Sequence, residues 1–386
     1  MTEGHLEYFK IKNFKRFEEL ELDDLGQFNL ITGDNNVGKT SVLEALLVGG
    51  VYYDQIFWAL HRTLNIRGLE LNAKVEYNKE GKITNIKFPE ENYLTFLQND
   101  FSKRTTFYLR YAGKGYNNEY WFQSFNRAQM VEKIAKNQAP ETLLMTAPLN
   151  AKYFVEHKSW GDDASNFTWL HFEELNFRPT NQAENISFSF IPVSQDNAAY
   201  LSNKFGELYL RANPTLSKKV DFELAEYMRI LIPDIDELRP AGSPSALYVG
   251  LKGTDERALL NEFGDGVVRL TRLLFHLYGM QERSRLMIDE IDTGIHHSRM
   301  KDFLKCLVKL AEKKNIQLFM TTHSLECQEA FAEVFEDPDM VHLQSEFRNI
   351  TLVEALDHSI KPFIYNYQQL SENLDLGIET RGRKLA

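Results

Sequence analysis

The chain has 386 residues, with 44 Lys and Arg against 55 Asp and Glu, giving a formal net charge of −11 at pH 7. Its 43% hydrophobic and 26% charged residues exclude a disordered chain, and its 21 Gly and 11 Pro without a repeat exclude a collagen-like one. There is no apolar run near the roughly 20 residues that cross a bilayer, no signal-peptide core and only two cysteines. We therefore expect a cytoplasmic protein without membrane contact.

The N-terminal part of the chain predicts strands followed by a loop and a helix. Two alternating apolar segments, Leu6–Ile11 and Leu20–Leu25, predict strands of a small sheet. The apolar run Phe28–Thr32 is typical of a buried parallel strand. After Lys39 the apolar residues recur at helical spacing, which predicts a helix.

The loop between that strand and helix predicts a nucleotide site. Residues 33–40, GDNNVGKT, fit the pattern G-x-x-x-x-G-K-[ST] at every position. Its glycines let backbone N–H groups cradle phosphate oxygens, and the following helix adds its positive end. Lys39 would contact the β- and γ-phosphates of ATP, and the Thr40 hydroxyl would ligate Mg²⁺. The predicted nucleotide contacts are Gly33, Asp34, Asn35, Asn36, Val37, Gly38, Lys39, Thr40 and Ser41.

Residues 51–184 have a different pattern, and we predict that they form an inserted α+β subdomain. Four segments predict antiparallel strands, at 74–77, 83–88, 105–111 and 120–125, and two predict helices, at 53–64 and 127–136. This stretch carries much of the aromatic content and none of the strong motifs. We expect it to carry partner specificity rather than chemistry.

Beyond residue 185, strand and helix patterns alternate, which predicts a parallel sheet with crossover helices. The predicted strands are 187–193, 247–251, 286–288 and 316–320, and the predicted helices are 198–211, 217–231, 267–278, 300–312 and 325–334. The last fifteen residues, which include Arg381 and Arg383, are expected to form a frayed basic tail.

Two predicted strands end in residues suited to phosphate chemistry. Asp289 and Glu290 follow the apolar residues 286–288, at the sheet edge where α/β proteins bind ligands. Asp289 would hold Mg²⁺, and Glu290 would orient or deprotonate the attacking water. His323 follows the next strand and would sense the γ-phosphate or the water. His296 and His297 are adjacent, and neighbouring side chains usually diverge, so a zinc site is not favoured.

These segments together resemble the ABC-type ATPases of the SMC, RecF and OLD group, in particular prokaryotic single-chain ATPases of the AAA family. The residues that carry the resemblance are 13–17 (NFKRF), 33–41, 263–266 (FGDG), 286–297 and 321–324 (TTHS). The resemblance implies a P-loop NTPase head with a mixed sheet, a parallel core and flanking helices. It implies a core of 1–50 and 185–335, the insertion at 51–184 and a C-terminal extension at 336–386.

The resemblance also implies roles for individual residues. Glu290 is then the catalytic carboxylate, His323 the switch histidine and Asp292–His297 the dimer-contacting loop. Gly264 and Gly266 occupy the signature position, where backbone amides at a helix start suit a γ-phosphate, although the usual Ser-Gly-Gly is replaced. Gln195 is a candidate for the Q-loop, with a plain loop residue as the alternative.

The resemblance further implies a homodimer or higher oligomer formed through the ATP site. No heptad run of several repeats is present, so a long coiled-coil arm is not expected. That favours a compact ATPase that regulates a separate effector, of nuclease or Toprim type, in anti-phage defence. Two alternatives stay open. One is a DNA repair or recombination ATPase that binds DNA through a local basic patch, and the other is an ATP-sensing module without useful turnover. A transporter subunit is less favoured.

Overall fold

A computed structural model describes residues 5–48, 74–77, 83–87, 106–113, 116–146, 153–158, 166–170, 188–191, 222–240, 247–253, 257–378 and 380–382. The predicted helices 53–64 and 198–211, and the Q-loop candidate Gln195, lie outside these ranges. In the ranges given, no helix has both the length and the apolar character needed to span a membrane.

The central sheet has six strands and carries the phosphate loop. Its order is β10-β14-β15-β3-β16-β17. The strands are β3 (Phe28–Gly33), β10 (Phe188–Ile191), β14 (Arg285–Ile288), β15 (Gln317–Thr321), β16 (Phe347–Glu354) and β17 (Ile360–Asn366). The first five pair in parallel and β17 pairs antiparallel with β16. The predicted α/β fold with a mixed sheet and a parallel core is therefore confirmed.

Helices accompany this sheet and the antiparallel sheet described below. In chain order they are α1 (Lys39–Val48), α2 (Arg127–Ala135), α3 (Thr142–Thr146), α4 (Asp265–Gly279), α5 (His297–Lys313), α6 (Leu325–Glu336) and α7 (Tyr367–Asp375), with a further helical segment at 222–228. Local chemistry sets several of the helix starts. The Ser324 side chain accepts the Cys327 backbone N–H at α6, and Asn366 with Gln369 forms a capping box at α7.

Aromatic rings join α6 to the sheet. The Phe347 ring of β16 lies 5.6 Å from the Phe331 ring and 5.0 Å from the Phe335 ring, between centroids. Phe335 also contacts Phe28 of β3, with centroids 6.0 Å apart. All four rings are fully buried. This packing fixes α6 across β3 and β16, the two strands next to the phosphate loop.

A second, antiparallel sheet joins the N-terminus to the predicted insertion. Its order is β2-β1-β6-β7-β8-β9. The strands are β1 (Leu6–Phe14), β2 (Phe17–Leu22), β6 (Thr106–Gly113), β7 (Tyr116–Asn126), β8 (Tyr153–Lys158) and β9 (Asn166–Leu170). β1 pairs with β6, so the described strands of segment 51–184 extend the small N-terminal sheet. A separate hairpin, β4 (Lys74–Tyr77) and β5 (Ile83–Lys87), and a three-stranded sheet, β11 (Ile235–Pro240), β12 (Leu247–Leu251) and β13 (Arg257–Leu259), complete the strands.

The predicted C-terminal extension contributes to the central sheet. β16 and β17 belong to it, and β16 lies directly beside β3. The expectation of a frayed basic tail is wrong for Thr380–Gly382, because Thr380 is only 1% exposed and its carbonyl oxygen accepts two hydrogen bonds. Composition suggested a tail, but tertiary hydrogen bonds hold this segment in place.

Candidate nucleotide site

The phosphate loop leaves the end of β3 in a conformation that requires glycine. Gly33 has φ 148° and Gly38 has φ 103°, values that residues with a Cβ rarely adopt. A Cβ on Gly33 would lie 2.7 Å from the Leu352 carbonyl oxygen, and one on Gly38 would lie 2.7 Å from Cζ of Phe17. The loop is therefore packed tightly against β16 at its first glycine and against β2 at its second.

Lys39 begins α1 and folds back over the loop. Its Nζ donates to the carbonyl oxygens of Gly33 at 2.8 Å and Asp34 at 2.9 Å. Burial lowers the pKa of Lys39, while the nearby carboxylates of Asp289 and Glu290 oppose that shift. The ammonium group therefore lies between the loop and the strand-end acids, which is where the sequence places the phosphates.

A chain of hydrogen bonds joins the loop to the end of β14. The Thr40 hydroxyl donates to the Asp289 carboxylate, with its oxygens at 3.0 and 3.1 Å. The Thr321 hydroxyl donates to Asp289 Oδ1 at 2.6 Å and accepts the Glu290 backbone N–H at 2.8 Å. We call Thr40, Asp289, Thr321 and the Glu290 amide the hydroxyl relay. It fixes both predicted acids relative to the loop.

Asp289 is nearly buried, with 9% of its surface exposed. Burial raises the pKa of its carboxyl group, and the hydrogen bonds from Thr321 and Thr40 partly reverse the shift. A buried carboxylate beside a threonine hydroxyl is a pair of hard oxygen ligands, which suits Mg²⁺. No group of three His, Cys, Asp or Glu side chains that could hold a metal occurs in the described ranges.

Glu290 is half-buried and has an unusual backbone conformation. Its φ is 45°, which costs a residue with a side chain on the order of 1–3 kcal/mol. Arg269 of α4 supports this turn, because its Nη2 donates to the carbonyl oxygens of Glu290 at 2.6 Å and Asp289 at 3.3 Å. The Thr293 hydroxyl donates to Glu290 Oε2 at 3.1 Å. Strain held in place by neighbours is typical of a functional turn.

Three further predicted residues lie outside this hydrogen-bonded centre. His323 lies two residues beyond the end of β15 and is exposed. Gly264 is exposed at the start of α4, with φ 89° and open space around its Cβ position. Gly266 faces the predicted dimer-contacting loop, since its Cβ position lies 3.3 Å from Cδ1 of Ile295. The structure thus joins the relay residues to one another by hydrogen bonds and joins Lys39 to the carbonyl groups of its own loop. By contrast, His323 and Gly264 are exposed, and Gly266 is half-buried.

Four supporting residues were missed when the sequence alone was considered. Thr321 was part of a recognised motif, but its hydroxyl was given no role, although its place one strand from Asp289 was a usable signal. Arg269 carried no local signal, because its role depends on how α4 packs. Lys15 and Glu44 form a buried ion pair behind the loop, with side chains 9% and 1% exposed. Lys15 lies in the motif at 13–17, so that motif braces α1.

Comparison with known proteins identifies the family of the chain. Residues 28–326 match the family described as "AAA domain, putative AbiEii toxin, Type IV TA system". The chain belongs to this family. It is accordingly an ATPase of the AAA type, and the matched range spans the phosphate loop, the acids and His323.

Individual proteins in the comparison share a low sequence identity with the chain, or match only a short part of it. An ATP/GTP phosphatase of Helicobacter pylori is 23% identical over 347 residues, which cover 86% of this chain and 89% of that protein. The DNA replication and repair protein RecF of Listeria monocytogenes is 35% identical over 79 residues, 20% of each chain. Among solved structures, the SMC head domain from Thermotoga maritima aligns with a TM-score of 0.43 and 13% identity, covering 94% of this chain and 98% of that one.

Proposed function

We propose that the chain hydrolyses ATP through the phosphate loop and the hydroxyl relay, and that two copies complete each ATP site. The observation that carries the proposal is the relay, which ties Thr40 and Asp289 to the backbone of Glu290. A loop residue, a metal-binding acid and a candidate base are thereby held in one rigid arrangement. Such preorganisation is what phosphoryl transfer demands of a protein.

Each side chain has a distinct part in this mechanism. Thr40 and Asp289 would hold Mg²⁺, which supplies neutralising charge at the β- and γ-phosphates. Lys39 exchanges its carbonyl partners for phosphate oxygens and stabilises the developing charge. Glu290 positions the attacking water and accepts its proton, and Thr293 keeps the carboxylate oriented. His323, exposed beside the relay, contacts the γ-phosphate or that water.

The exposed signature supports a site shared between two copies. Gly264 has open space on its outer side, so the backbone amides at the start of α4 are accessible to a second molecule. The segment Gly294–Arg299 beside it is also largely exposed. In a two-fold dimer, this surface of one protomer would cover the phosphate loop of its partner, and each ATP would be sandwiched.

A mixing experiment tests this arrangement. Lys39→Ala disables the phosphate loop and keeps the signature, whereas Gly264→Asp places a negative charge at the signature and keeps the loop. Gly253→Asp is the matched control, since Gly253 also has positive φ, 74°, and open space around its Cβ position. Each site variant alone should lack phosphate release, and Gly253→Asp should be active.

Mixing the two inactive variants should restore activity. Random pairing of equal amounts makes half the dimers mixed with one intact site each, so roughly a quarter of wild-type sites should return. Gly264→Asp should still bind a fluorescent ATP analogue through its own loop. Full activity of Gly264→Asp, or no recovery on mixing while both variants fold, would contradict the shared site.

We further propose that the ATP-bound dimer controls a separate effector, of nuclease or Toprim type, in anti-phage defence. The family description names a toxin and a system, which supports a second component. The Glu290→Gln variant, held with ATP, should retain that effector in a pull-down from native cells, and Lys39→Ala should not. Equal recovery with both variants, or recovery of neither, would contradict ATP-dependent control.

A second candidate is direct action on DNA. The 79-residue match to a protein named for DNA replication and repair favours it, while the net charge of −11 does not. Turnover stimulated several-fold by plasmid DNA at low salt, and lost at high salt, would favour this alternative. Turnover indifferent to DNA would favour the effector.

A further inference from the structure

The segment Thr380–Gly382 lies against the strand ends that carry the phosphate loop. The carbonyl oxygen of Thr380 accepts the Thr351 hydroxyl at 2.8 Å and the Thr32 hydroxyl at 3.3 Å. Those two hydroxyl oxygens are 2.9 Å apart, and their residues are register partners on β16 and β3. Thr32 directly precedes the first glycine of the loop. One backbone carbonyl therefore links both strands at the point where the loop begins.

Two glycines pack against one carbonyl group beside this link. A Cβ on Gly33 would lie 2.7 Å from the Leu352 oxygen, and a Cβ on Gly382 would lie 2.7 Å from the same oxygen. The Gly382 Cβ position is also 3.4 Å from the Cα of Gly33, and its φ is +79°. The Gly382 Cβ position also lies 2.9 Å from Cγ2 of Thr351, so a side chain at residue 382 would meet the backbone of Leu352 and Gly33 as well as the Thr351 side chain. The position of Gly382 consequently bears on the position of Gly33.

The backbone carbonyl of Thr380 is one of the groups that hold this segment. Thr380 is 1% exposed, and within the described residues its hydroxyl oxygen has no hydrogen-bond partner. Arg381 reaches toward the start of α6, where it helps to lower the pKa of Glu326, after the larger effects of that residue's backbone N–H and the Ser324 hydroxyl. The segment therefore borders both the loop and the strand end that carries His323.

We infer that Thr380–Gly382 is a positioning element of the ATP site, which holds Gly33 in the conformation that binds nucleotide. It acts through Leu352 and the Thr32–Thr351 pair and touches no phosphate itself. The inference rests on ATP binding at the phosphate loop. Because the backbone at Gly33, unlike Lys39, would hold bound nucleotide equally in the ground and transition states, its displacement should raise KM and leave kcat nearly unchanged.

A matched pair of glycine variants in the full chain tests the inference. Gly382→Ala pushes a methyl group toward Leu352 and Gly33. Gly377→Ala imposes comparable backbone strain, since its φ is +66°, but nothing lies within 4 Å of its Cβ position. We expect Gly382→Ala to raise KM and the Kd of a fluorescent ATP analogue about tenfold, with kcat at saturating ATP within about twofold of wild type. Gly377→Ala should match wild type.

A second pair removes or keeps the Thr351 hydroxyl, which donates to the Thr380 carbonyl, accepts the Asn349 side-chain N–H at 3.1 Å and lies 2.9 Å from the Thr32 hydroxyl. Thr351→Val keeps the side-chain shape and deletes the hydroxyl that donates to Thr380, whereas Thr351→Ser keeps the donor. Loss of this hydroxyl should weaken binding of the ATP analogue about fivefold in Thr351→Val, and Thr351→Ser should restore it. This pair decides the question alone if Gly382→Ala does not fold.

Two results would overturn the inference. One is equal ATP affinity of Gly382→Ala and Gly377→Ala, and the other is equal affinity of Thr351→Val and Thr351→Ser. Neither result would contradict ATP binding at the phosphate loop, because the wild-type protein would still bind the ATP analogue. A wild-type protein that binds no ATP analogue would instead contradict the proposed function.

Discussion

Replacing Thr321 by valine should loosen the magnesium site without touching any predicted ligand. Thr321 is fully buried, and valine has nearly its shape, so packing is preserved. The change removes the hydrogen bond donated to Asp289 Oδ1 at 2.6 Å and the one accepted from the Glu290 N–H at 2.8 Å. Thr40 still donates to Asp289. The variant therefore tests the supporting hydroxyl of Thr321 while the carboxylates of Asp289 and Glu290 stay in the chain.

The structure sets the expected magnitude. A hydrogen bond to a charged group contributes about 1.5–3 kcal/mol and a neutral one about 0.5–1.5 kcal/mol, so the relay loses about 2–4.5 kcal/mol. Residues that support a metal ligand typically change metal affinity or activity by about 10–100-fold when they are replaced. We therefore expect the Mg²⁺ concentration for half-maximal ATP hydrolysis to rise by about that factor.

The assay is phosphate release at fixed ATP over a range of Mg²⁺ concentrations, with Thr321→Ser as the matched control that keeps the hydroxyl. Because the Thr321 hydroxyl lowers the pKa of Asp289, the valine variant should also lose activity at a higher pH than wild type on the acidic side. A valine variant with the same Mg²⁺ dependence as the serine variant would refute the role of the relay.

Three further variants separate the remaining roles. Lys39→Ala should abolish binding of a fluorescent ATP analogue and phosphate release, and unchanged values for both would contradict the site. Asp289→Asn should raise the melting temperature at neutral pH without Mg²⁺, because the raised pKa of Asp289 means that its ionised form destabilises the folded protein. This advantage over wild type should vanish as the pH falls through the pKa of Asp289. A lower melting temperature of the variant at all pH values would contradict the prediction. Arg269→Met should lower kcat at least about tenfold and leave ATP affinity nearly unchanged, because the strained backbone of Glu290 loses its support. Steady-state kinetics would measure kcat, and binding of the fluorescent ATP analogue would measure affinity. An unaffected kcat would contradict the prediction.

The centre of the site could be predicted from sequence because its residues occur at a fixed spacing. The glycines, Lys39 and Thr40 occur in a pattern whose geometry is local, and the acids follow a short apolar strand that could only be buried. Because the carboxyl ends of parallel strands share one edge, the position of Asp289 near Thr40 followed from the fold class alone.

Features that depend on distant packing could not be predicted. The alternation of apolar and polar residues predicted that β1 and β6 are strands, but it does not determine which strand pairs with which. Their pairing, which crosses the predicted domain boundary, was found only in the structure. Arg269 lies in an amphipathic helix where its role depends on the helix orientation. Thr380 was assigned to a frayed tail because its neighbours are basic, whereas two threonine hydroxyls far away in sequence hold it.

The most direct test of the account is the behaviour of Glu290→Gln with ATP and Mg²⁺. The amide keeps an oxygen that can accept the Thr293 hydrogen bond but cannot take a proton from water. Loss of a general base typically slows a reaction on the order of 10²–10⁴-fold. We predict that phosphate release falls by that factor and that light scattering shows an ATP-dependent dimer. Hydrolysis at the wild-type rate would contradict the account, because Glu290 would then have no part in the chemistry.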